Sequence, residues 1–385
     1  MNIFNSILSA LRYGDKLLWL LTVSIATYGL ALVASISREG FNYFLVQSLS
    51  IFLGLFGALI LQTINYKFIS KASIWLGIFG ILLMVYTIFM GVAIEGASGV
   101  NAKAWIKLPM GITFQPSEFA KILFIVTFSS HTANIAQNNS FDDKKCIALL
   151  ILHAGVPVVL SHLQGDDGAA IIFLCIAITI AFIGGMPIKY FLYAIIMGLI
   201  LMPVFWNFVL ADYQKKRILS QLNPENDPLN MGYQQIQGKL SIGSGGLCGA
   251  GLFKGPRVAN NVVPIQESDF IFSAAGEELG FIGCMLILLL LGTMIFRISH
   301  IAKRSQNRIG MLICFGFIGL IASQMFFNLG MCLSLLPVMG VTLPFFSVGG
   351  SSAMCLYLAI GIIQNIYLNS NQLSSDIETD FWRIN

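Results

Sequence analysis

The chain has 385 residues, of which 56% are hydrophobic and only 10% are charged, and its mean hydropathy is +0.80. Because water-soluble domains carry about 25% charged residues, this composition excludes a soluble enzyme and indicates a protein embedded in a lipid bilayer. The net charge of +4 is small and no basic run alternates with aromatic residues, which excludes nucleic-acid binding. The seven cysteines and four histidines show no metal-ligand spacing.

Apolar runs long enough to cross a membrane recur along the whole chain. A bilayer core needs about 20 apolar residues per helix. Ten runs meet this requirement, at about 17–36, 43–62, 73–93, 118–136, 146–163, 168–185, 187–211, 270–296, 308–335 and 352–369. We therefore predict an all-α, polytopic membrane protein of about ten transmembrane helices, organised as a single membrane domain over residues 1–385.

The distribution of Lys and Arg predicts which side each loop faces, because these residues concentrate in short cytoplasmic loops. With the N-terminus in the cytoplasm, twelve short-loop Lys and Arg lie inside and three lie outside. An even number of spans then places both termini in the cytoplasm. The polar and Gly/Pro-rich segments all face outward, including a long loop at about 212–269 between spans seven and eight and an apolar segment at about 336–352. We interpret the latter as a re-entrant loop.

A charged pair opens the fourth predicted span. Glu118 and Lys121 are three residues apart and share one face of a helix. In an apolar helix a carboxylate and an ammonium must pair with each other. We predict a structural brace that lines a cavity; the alternative is a helix cap with an ordinary ion pair.

Two adjacent acids, Asp166 and Asp167, join the fifth and sixth spans. Their oxygens suit a bound cation, and two solvated turn residues are the alternative. The glycine-rich stretch 243–255 fits neither a Walker A nor a dinucleotide pattern. It predicts a flexible or tightly turning loop, or a backbone that approaches a ligand closely.

The eighth predicted span begins with several carboxylates. Asp269 directly precedes it, and Glu277 and Glu278 follow about two turns later. Ionisable residues in a spanning helix are costly and indicate function. A desolvated carboxylate is suited to act as a general base. The alternative is that Ser268 or Asp269 caps the helix.

Together these motifs resemble the SEDS family (shape, elongation, division and sporulation), typified by RodA, FtsW and SpoVE, over about residues 95–365, with some features closer to RodA. The matching segments are Phe114-Gln115-Pro116-Ser117-Glu118 with Lys121, Asn223-Pro224-Glu225-Asn226-Asp227-Pro228, Ser268-Asp269-Phe270-Ile271-Phe272 with Gly276-Glu277-Glu278-Leu279-Gly280, and Leu343-Pro344 through Gly349-Gly350-Ser351-Ser352.

The resemblance implies a bacterial peptidoglycan glycosyltransferase that polymerises lipid II at the outer face of the cytoplasmic membrane, for cell shape or division. It implies that Asp269 is catalytic and that Glu118 pairs with Lys121 near a central cavity. It also implies a class B penicillin-binding protein, a transpeptidase, as partner. The rival hypotheses are a transporter that flips the lipid-linked precursor and a noncatalytic scaffold.

Some positions depart from the family pattern. Ala104 precedes Trp105 where the family commonly has Arg, and Gly165 and Asp167 stand in a usual Gln-Pro-Asp-Leu-Gly motif. Candidates for binding the pyrophosphate are Lys103, Trp105, Lys215, Lys216, Arg217, Lys239 and Arg257, and a divalent Mg²⁺ or Mn²⁺ ion is a possible helper. Further cavity candidates are Gln115, Asp166, Glu277, Glu278, Asn328, Ser347, Ser351 and Ser352.

Overall fold

A computed structural model describes residues 7, 10–37, 42–93, 102–107, 113–210, 215 and 231–384 of the chain. Its helices are α1 (Lys16–Ile36), α2 (Asn42–Leu61), α3 (Tyr66–Lys71), α4 (Ser73–Met90), α5 (Pro116–Gln137), α6 (Lys144–Leu163), α7 (Asp167–Ile183), α8 (Ile188–Val204), α9 (Met231–Ser244), α10 (Pro256–Ala259), α11 (Ile271–Arg304), α12 (Arg308–Cys332) and α13 (Gly350–Ile384). A 3₁₀ turn (Ser140–Asp142) precedes α6, and a π-helical turn (Phe205–Val209) extends α8. The short strands β1 (Ile106–Lys107) and β2 (Thr113–Phe114) pair antiparallel before α5.

The predicted membrane helices are confirmed. Within the described ranges, nine helices are long and apolar enough to cross a bilayer, and the shorter apolar helix α7 coincides with the sixth predicted run. All ten runs therefore form helices, and the long loop between the seventh and eighth contains α9 and α10.

Burial orders the helices into a central and a peripheral set. The most buried windows, at 78%, belong to α5 and α13, which are also the least apolar of the nine candidate spans. Since these helices face protein instead of lipid, they carry small and polar side chains at positions where the outer helices carry large apolar ones. At the other extreme, α8 has no buried residue, and its polar contacts lie at its start, where Tyr190 donates to the carbonyl of Phe141.

Helix α11 is broken one quarter of the way along. Gly280 has φ 67° and ψ −161°, a conformation that only glycine adopts readily. The break separates a short outer segment, 271–279, from the long segment that spans the membrane. It also frees backbone groups on both sides, which must find other partners in this apolar setting.

The glycine-rich loop supplies those partners. The carbonyls of Glu277 and Glu278 accept from the N–H groups of Ala250 and Gly251, at 3.0 and 2.8 Å. On the other side of the break, Phe281 and Ile282 donate to Gly246 and Leu247, at 2.9 and 3.1 Å. A Cβ at Gly249 would lie 2.2 Å from the carbonyl oxygen of Glu278. Glycines are thus required for close contact with protein backbone, which favours the tight-turn interpretation of 243–255 over a ligand loop.

At the opposite end of the bundle an ion pair connects three helices. Asp15 caps α1 by accepting from the N–H of Leu18 at 2.7 Å, and the same carboxylate accepts from Nε of Arg297 in α11 at 2.9 Å. The side-chain carbonyl of Gln364 in α13 accepts from the Asp15 N–H at 2.8 Å.

Candidate active site

A cavity of about 270 Å³ opens at the end of the bundle where α5, α7, α11 and α13 begin. Its walls come from these helix starts, from α9, from α12 and from the non-helical segment between α12 and α13. Its polar lining includes Trp105, Gln115, Glu118, Lys121, Asp166, Asp167, Gln234, Ser268, Asp269, Gln324, Thr342 and Ser352.

Asp269 lines this cavity from the last position but one before α11, and its side chain is partly exposed. Ser268 Oγ lies 3.2 Å from Asp269 Oδ1 and donates to it. The helix begins at Ile271 with Phe270 as its N-cap and no side-chain capping bond. The alternative that Ser268 or Asp269 caps this helix is therefore wrong, and the Asp269 carboxylate is directed to the cavity.

Asn328 and Ser347 hold the backbone around Asp269. Asn328 Nδ2 donates to the carbonyls of Asp269 and Val341, at 2.9 and 2.8 Å. Ser347 Oγ donates to the carbonyl of Ser268 and accepts from the N–H of Leu343. Neither Asn328 nor Ser347 lines the cavity, so both act on it through the backbone.

The non-helical segment 333–349 forms one wall of the cavity. Val348 N–H donates to the carbonyl of Glu267 at 2.8 Å, and Val338 to Thr342 line the cavity. Gln235 of α9 donates to the carbonyl of Leu336 at 2.9 Å. The predicted re-entrant segment is therefore hydrogen-bonded both to the turn that precedes Asp269 and to α9 of the long loop.

Glu118 and Lys121 form a buried ion pair in the first turns of α5. Lys121 Nζ lies 2.8 Å from Glu118 Oε1, and the side chains are only 2% and 10% exposed. Both residues line the cavity. The pair lies within the first turns of α5 and forms part of the cavity wall.

Asp166 connects the two helix starts opposite Asp269. It accepts from Gln115 Nε2 at 2.8 Å and from the N–H of Ala169 at 2.9 Å, which makes it the N-cap of α7. Enclosure by protein raises the pKa of Asp166 above its ordinary value, against these hydrogen bonds and the positive charge of Lys121, which lower it. The backbone N–H of Gln115 in turn donates to Ser351 Oγ at 2.9 Å.

The adjacent acid has a different partner. Asp167 Oδ1 lies 2.7 Å from Nδ1 of His162, at the end of α6. Both acids are engaged by the protein, so the alternative of two solvated turn residues is wrong for this pair. Ser352 lines the cavity, and its hydroxyl lies 3.4 Å from that of Thr342.

Several candidates from the sequence are not part of the cavity lining. Glu277 accepts from the N–H of Arg257 in α10 at 2.6 Å. Glu278 accepts from Ser35 Oγ in α1 at 2.6 Å and from the N–H of Gly255, the N-cap of α10, at 3.4 Å. Arg257 donates to Ser241 and Gln237 of α9. Glu277 and Glu278, predicted as cavity candidates, and Arg257, predicted to bind the pyrophosphate, therefore do not line this cavity, since sequence spacing does not show which way a helix turns its side chains.

The remaining cationic candidates lie away from the cavity or outside the described residues. Lys103 and Lys239 are exposed and do not line it, and neither does Lys215. Lys216 and Arg217 lie outside the described part of the chain. Among the lining residues that the structure describes, Lys121 is the one cation, against the carboxylates of Glu118, Asp166, Asp167 and Asp269.

Two glutamines in the lining were missed by the sequence analysis. Gln234 of α9 is 5% exposed and Gln324 of α12 is 1% exposed, and both reach the cavity. The signal for Gln324 was present, because a polar side chain within an apolar span indicates a functional position.

Known proteins resemble the chain over almost its whole length. The family model FTSW_RODA_SPOVE, described as "Cell cycle protein", matches residues 15–372. The chain is 33% identical over 297 residues to the peptidoglycan glycosyltransferase MrdB of Escherichia coli K12, covering 77% of this chain and 79% of that protein. It is 33% identical over 376 residues to the probable peptidoglycan glycosyltransferase FtsW of Geobacter sulfurreducens, covering 95% and 98%.

A solved structure agrees with this relationship. The chain superposes with a TM-score of 0.80 and 27% identity on a chain from work on "Structural coordination of polymerization and crosslinking by a peptidoglycan synthase complex", covering 93% of this chain and 99% of that one. With its apolar helices and bacterial relatives, this is a multi-pass bacterial membrane protein. On these matches, the chain belongs to the FtsW/RodA/SpoVE family of cell cycle proteins.

Proposed function

We propose that this chain is a peptidoglycan glycosyltransferase that joins lipid II into glycan strands at the outer face of the cytoplasmic membrane, in cell-wall growth or division. The relatives named as peptidoglycan glycosyltransferases support the activity. The observation that carries the proposal is the cavity with Asp269 in its wall, whose backbone is held on both sides by Asn328 and Ser347.

Asp269 acts as the general base. Its carboxylate accepts the proton of the acceptor sugar hydroxyl while that oxygen bonds to the anomeric carbon of the donor and the bond from this carbon to the pyrophosphate breaks. Ser268 donates to Asp269 Oδ1 and orients the carboxylate. The restrained backbone keeps the base in one position and so avoids reorganisation during the step.

The departing polyprenyl pyrophosphate must be stabilised by positive charge. Lys121 is the described cation in the lining, and it is already paired with Glu118. We propose that Lys103, Lys215, Lys239 and the neighbouring Lys216 and Arg217 contribute from the same side of the membrane.

A divalent ion such as Mg²⁺ or Mn²⁺ is a second source of positive charge for a departing pyrophosphate. Within the described residues no three His, Cys, Asp or Glu side chains come together in a group that could hold a metal ion. The described residues therefore do not fit a resident metal site.

The partner in this proposal is a class B penicillin-binding protein that crosslinks the strands as they form. The structural relative from a complex that coordinates polymerization and crosslinking supports this pairing. Co-purification of this chain with a tagged transpeptidase from the same bacterium tests it.

Reconstitution separates the proposed enzyme from its rivals. The purified chain is incubated with lipid II in detergent, with and without the transpeptidase and with and without chelator, and the products are resolved on a gel. Polymer formed by the chain in detergent supports the enzyme, because flipping has no meaning without a bilayer. A transporter or a scaffold would give no polymer under any of these conditions.

A further inference from the structure

The wall contributed by α12 contains a buried amide that has no partner in the protein. Gln324 lines the cavity and is only 1% exposed. Its side-chain oxygen Oε1 is shielded from water and receives no hydrogen bond. Of the lining residues that the structure describes, Gln324 is the one with such an oxygen.

An unpaired carbonyl in this position works against folding. The oxygen loses its hydration on burial and gains nothing in return, and the cost is not offset by any structural contact. An apolar side chain of the same size would fill this position in α12 without that cost. A polar residue in a spanning helix under these conditions indicates a ligand.

The neighbouring amides of the site are engaged differently. Asn328, one turn further along the same helix, donates to two backbone carbonyls, and Gln115 donates to Asp166. These amides fasten parts of the protein to each other. The side-chain oxygen of Gln324 receives no hydrogen bond from the protein, so it can accept one from a molecule in the cavity.

The charge of the lining indicates which part of a substrate meets Gln324. The described lining has four carboxylates, Glu118, Asp166, Asp167 and Asp269, and one ammonium, Lys121. Because Lys121 is paired with Glu118, the described lining around Gln324 suits a neutral sugar better than a pyrophosphate. A side-chain amide offers an acceptor and two donors, and a half-turn about its last bond exchanges them.

We propose that Gln324 is a substrate-contacting residue, which accepts a hydrogen bond from an N–H or O–H of an acetamido sugar of the lipid-linked disaccharide. This proposal rests on the proposed function and adds a sugar-binding position to it. We expect the contact to form in both the ground state and the transition state, because Gln324 takes no part in the proton transfer at Asp269.

The test is the substitution Gln324→Met, which keeps the length of the side chain and removes its polarity. We expect KM for lipid II to rise about threefold to tenfold while kcat changes by less than about twofold, since one hydrogen bond to a neutral group is lost. We also expect the melting temperature of the substrate-free protein in detergent to stay level or rise, because an unpaired buried atom is removed.

Gln62→Met is the matched control. Gln62 is also 1% exposed and its side-chain oxygen and nitrogen both lack partners, but it does not line the cavity. The same replacement there should leave KM and kcat unchanged. If Gln324→Met does not fold, Gln324→Asn, which withdraws the amide by one methylene, should raise KM in the same way.

The outcomes are separable. An unchanged KM for folded Gln324→Met in a wild-type enzyme that makes polymer overturns the sugar contact and leaves the proposed function standing. A lower melting temperature with a parallel loss of kcat overturns it in favour of a structural role. If the wild-type chain makes no polymer, the proposed function fails, and the assignment of a sugar ligand fails with it.

Discussion

Asp269 is positioned through its backbone as well as through the contact of its carboxylate with Ser268. Asn328 donates to the Asp269 carbonyl and to that of Val341, and Ser347 donates to the carbonyl of Ser268. These contacts fix the backbone on both sides of the base. This is the arrangement that a general base requires.

Replacing Asn328 by Leu should remove the hydrogen bonds that connect the backbone at Asp269 with the segment that contains Val341. Two buried carbonyls would lose their donor, which we expect to lower stability by roughly 1–3 kcal/mol and to reduce turnover by at least about tenfold through misplacement of the base. Melting temperature and initial rate of polymerisation measure the two effects. Asn369→Leu, whose amide bonds only to Asn365, is the control, and equal rates for both variants would contradict this role.

The raised pKa of Asp166 has a consequence for stability. Because the folded protein binds this proton more readily than the unfolded chain, the contribution of Asp166 to stability grows as pH falls from the raised folded pKa toward the ordinary value of about 3.9. The wild type should therefore gain melting temperature over this window relative to Asp166→Asn. Parallel melting curves for both proteins across the window would contradict this.

The sequence predicted the residues of the site better than their orientation. Asp269, Glu118, Lys121, Asp166 and Gln115 meet at one cavity as their motifs indicated. Glu277 and Glu278 do not, because Glu277 accepts from the N–H of Arg257 in α10 and Glu278 accepts from Ser35 Oγ in α1. No local pattern of hydrophobicity contains that information.

At the scale of elements, α11 consists of two helical segments that meet at Gly280, and the glycine-rich loop 243–255 forms backbone hydrogen bonds on both sides of this break. The sequence predicts one continuous span over 270–296 and does not reveal the break at Gly280. The break appears only in tertiary structure, where the glycine-rich loop replaces the missing helical hydrogen bonds. The existence of the ten membrane helices, in contrast, follows from composition and length alone.

Substitutions at two glycines test whether close packing of the glycine-rich loop against the break in α11 stabilises the protein. Gly249 has φ 74°, and a Cβ there would meet the carbonyl oxygen of Glu278 at 2.2 Å, whereas a Cβ at Gly243 in α9 meets nothing within 4 Å. Gly249→Ala should cost at least about 2 kcal/mol through strain and displacement of the loop. Gly243→Ala should be neutral or stabilise by up to about 1 kcal/mol. Equal melting temperatures for the two variants would contradict a stabilising contact between the glycine-rich loop and the break in α11.

At the scale of the whole molecule, the cavity and the basic short loops lie at opposite ends of the bundle. The cavity end contains the starts of α5 and α11, and the other end contains Lys144 and Arg304, at the start of α6 and the end of α11. Since positive loops remain in the cytoplasm, this separation supports the proposed extracytoplasmic position of the cavity.

Two native cysteines report on this orientation. Cys248 is exposed in the glycine-rich loop at the cavity end, and Cys146 lies at the start of α6 at the other end. A membrane-impermeant maleimide should label Cys248 in intact spheroplasts and Cys146 only after lysis. Single Cys248→Ser and Cys146→Ser variants assign each label, and labelling of Cys146 before lysis would reverse the topology.

The central claim is that Asp269 is the base in a glycan-polymerising site. The most direct measurement compares polymer formation from lipid II by purified wild type, Asp269→Asn and the control Glu267→Gln, whose carboxylate does not line the cavity. We expect Asp269→Asn to lose about 10²- to 10⁴-fold in rate with an unchanged melting temperature, and Glu267→Gln to retain the wild-type rate. Wild-type polymerisation by Asp269→Asn would contradict the claim.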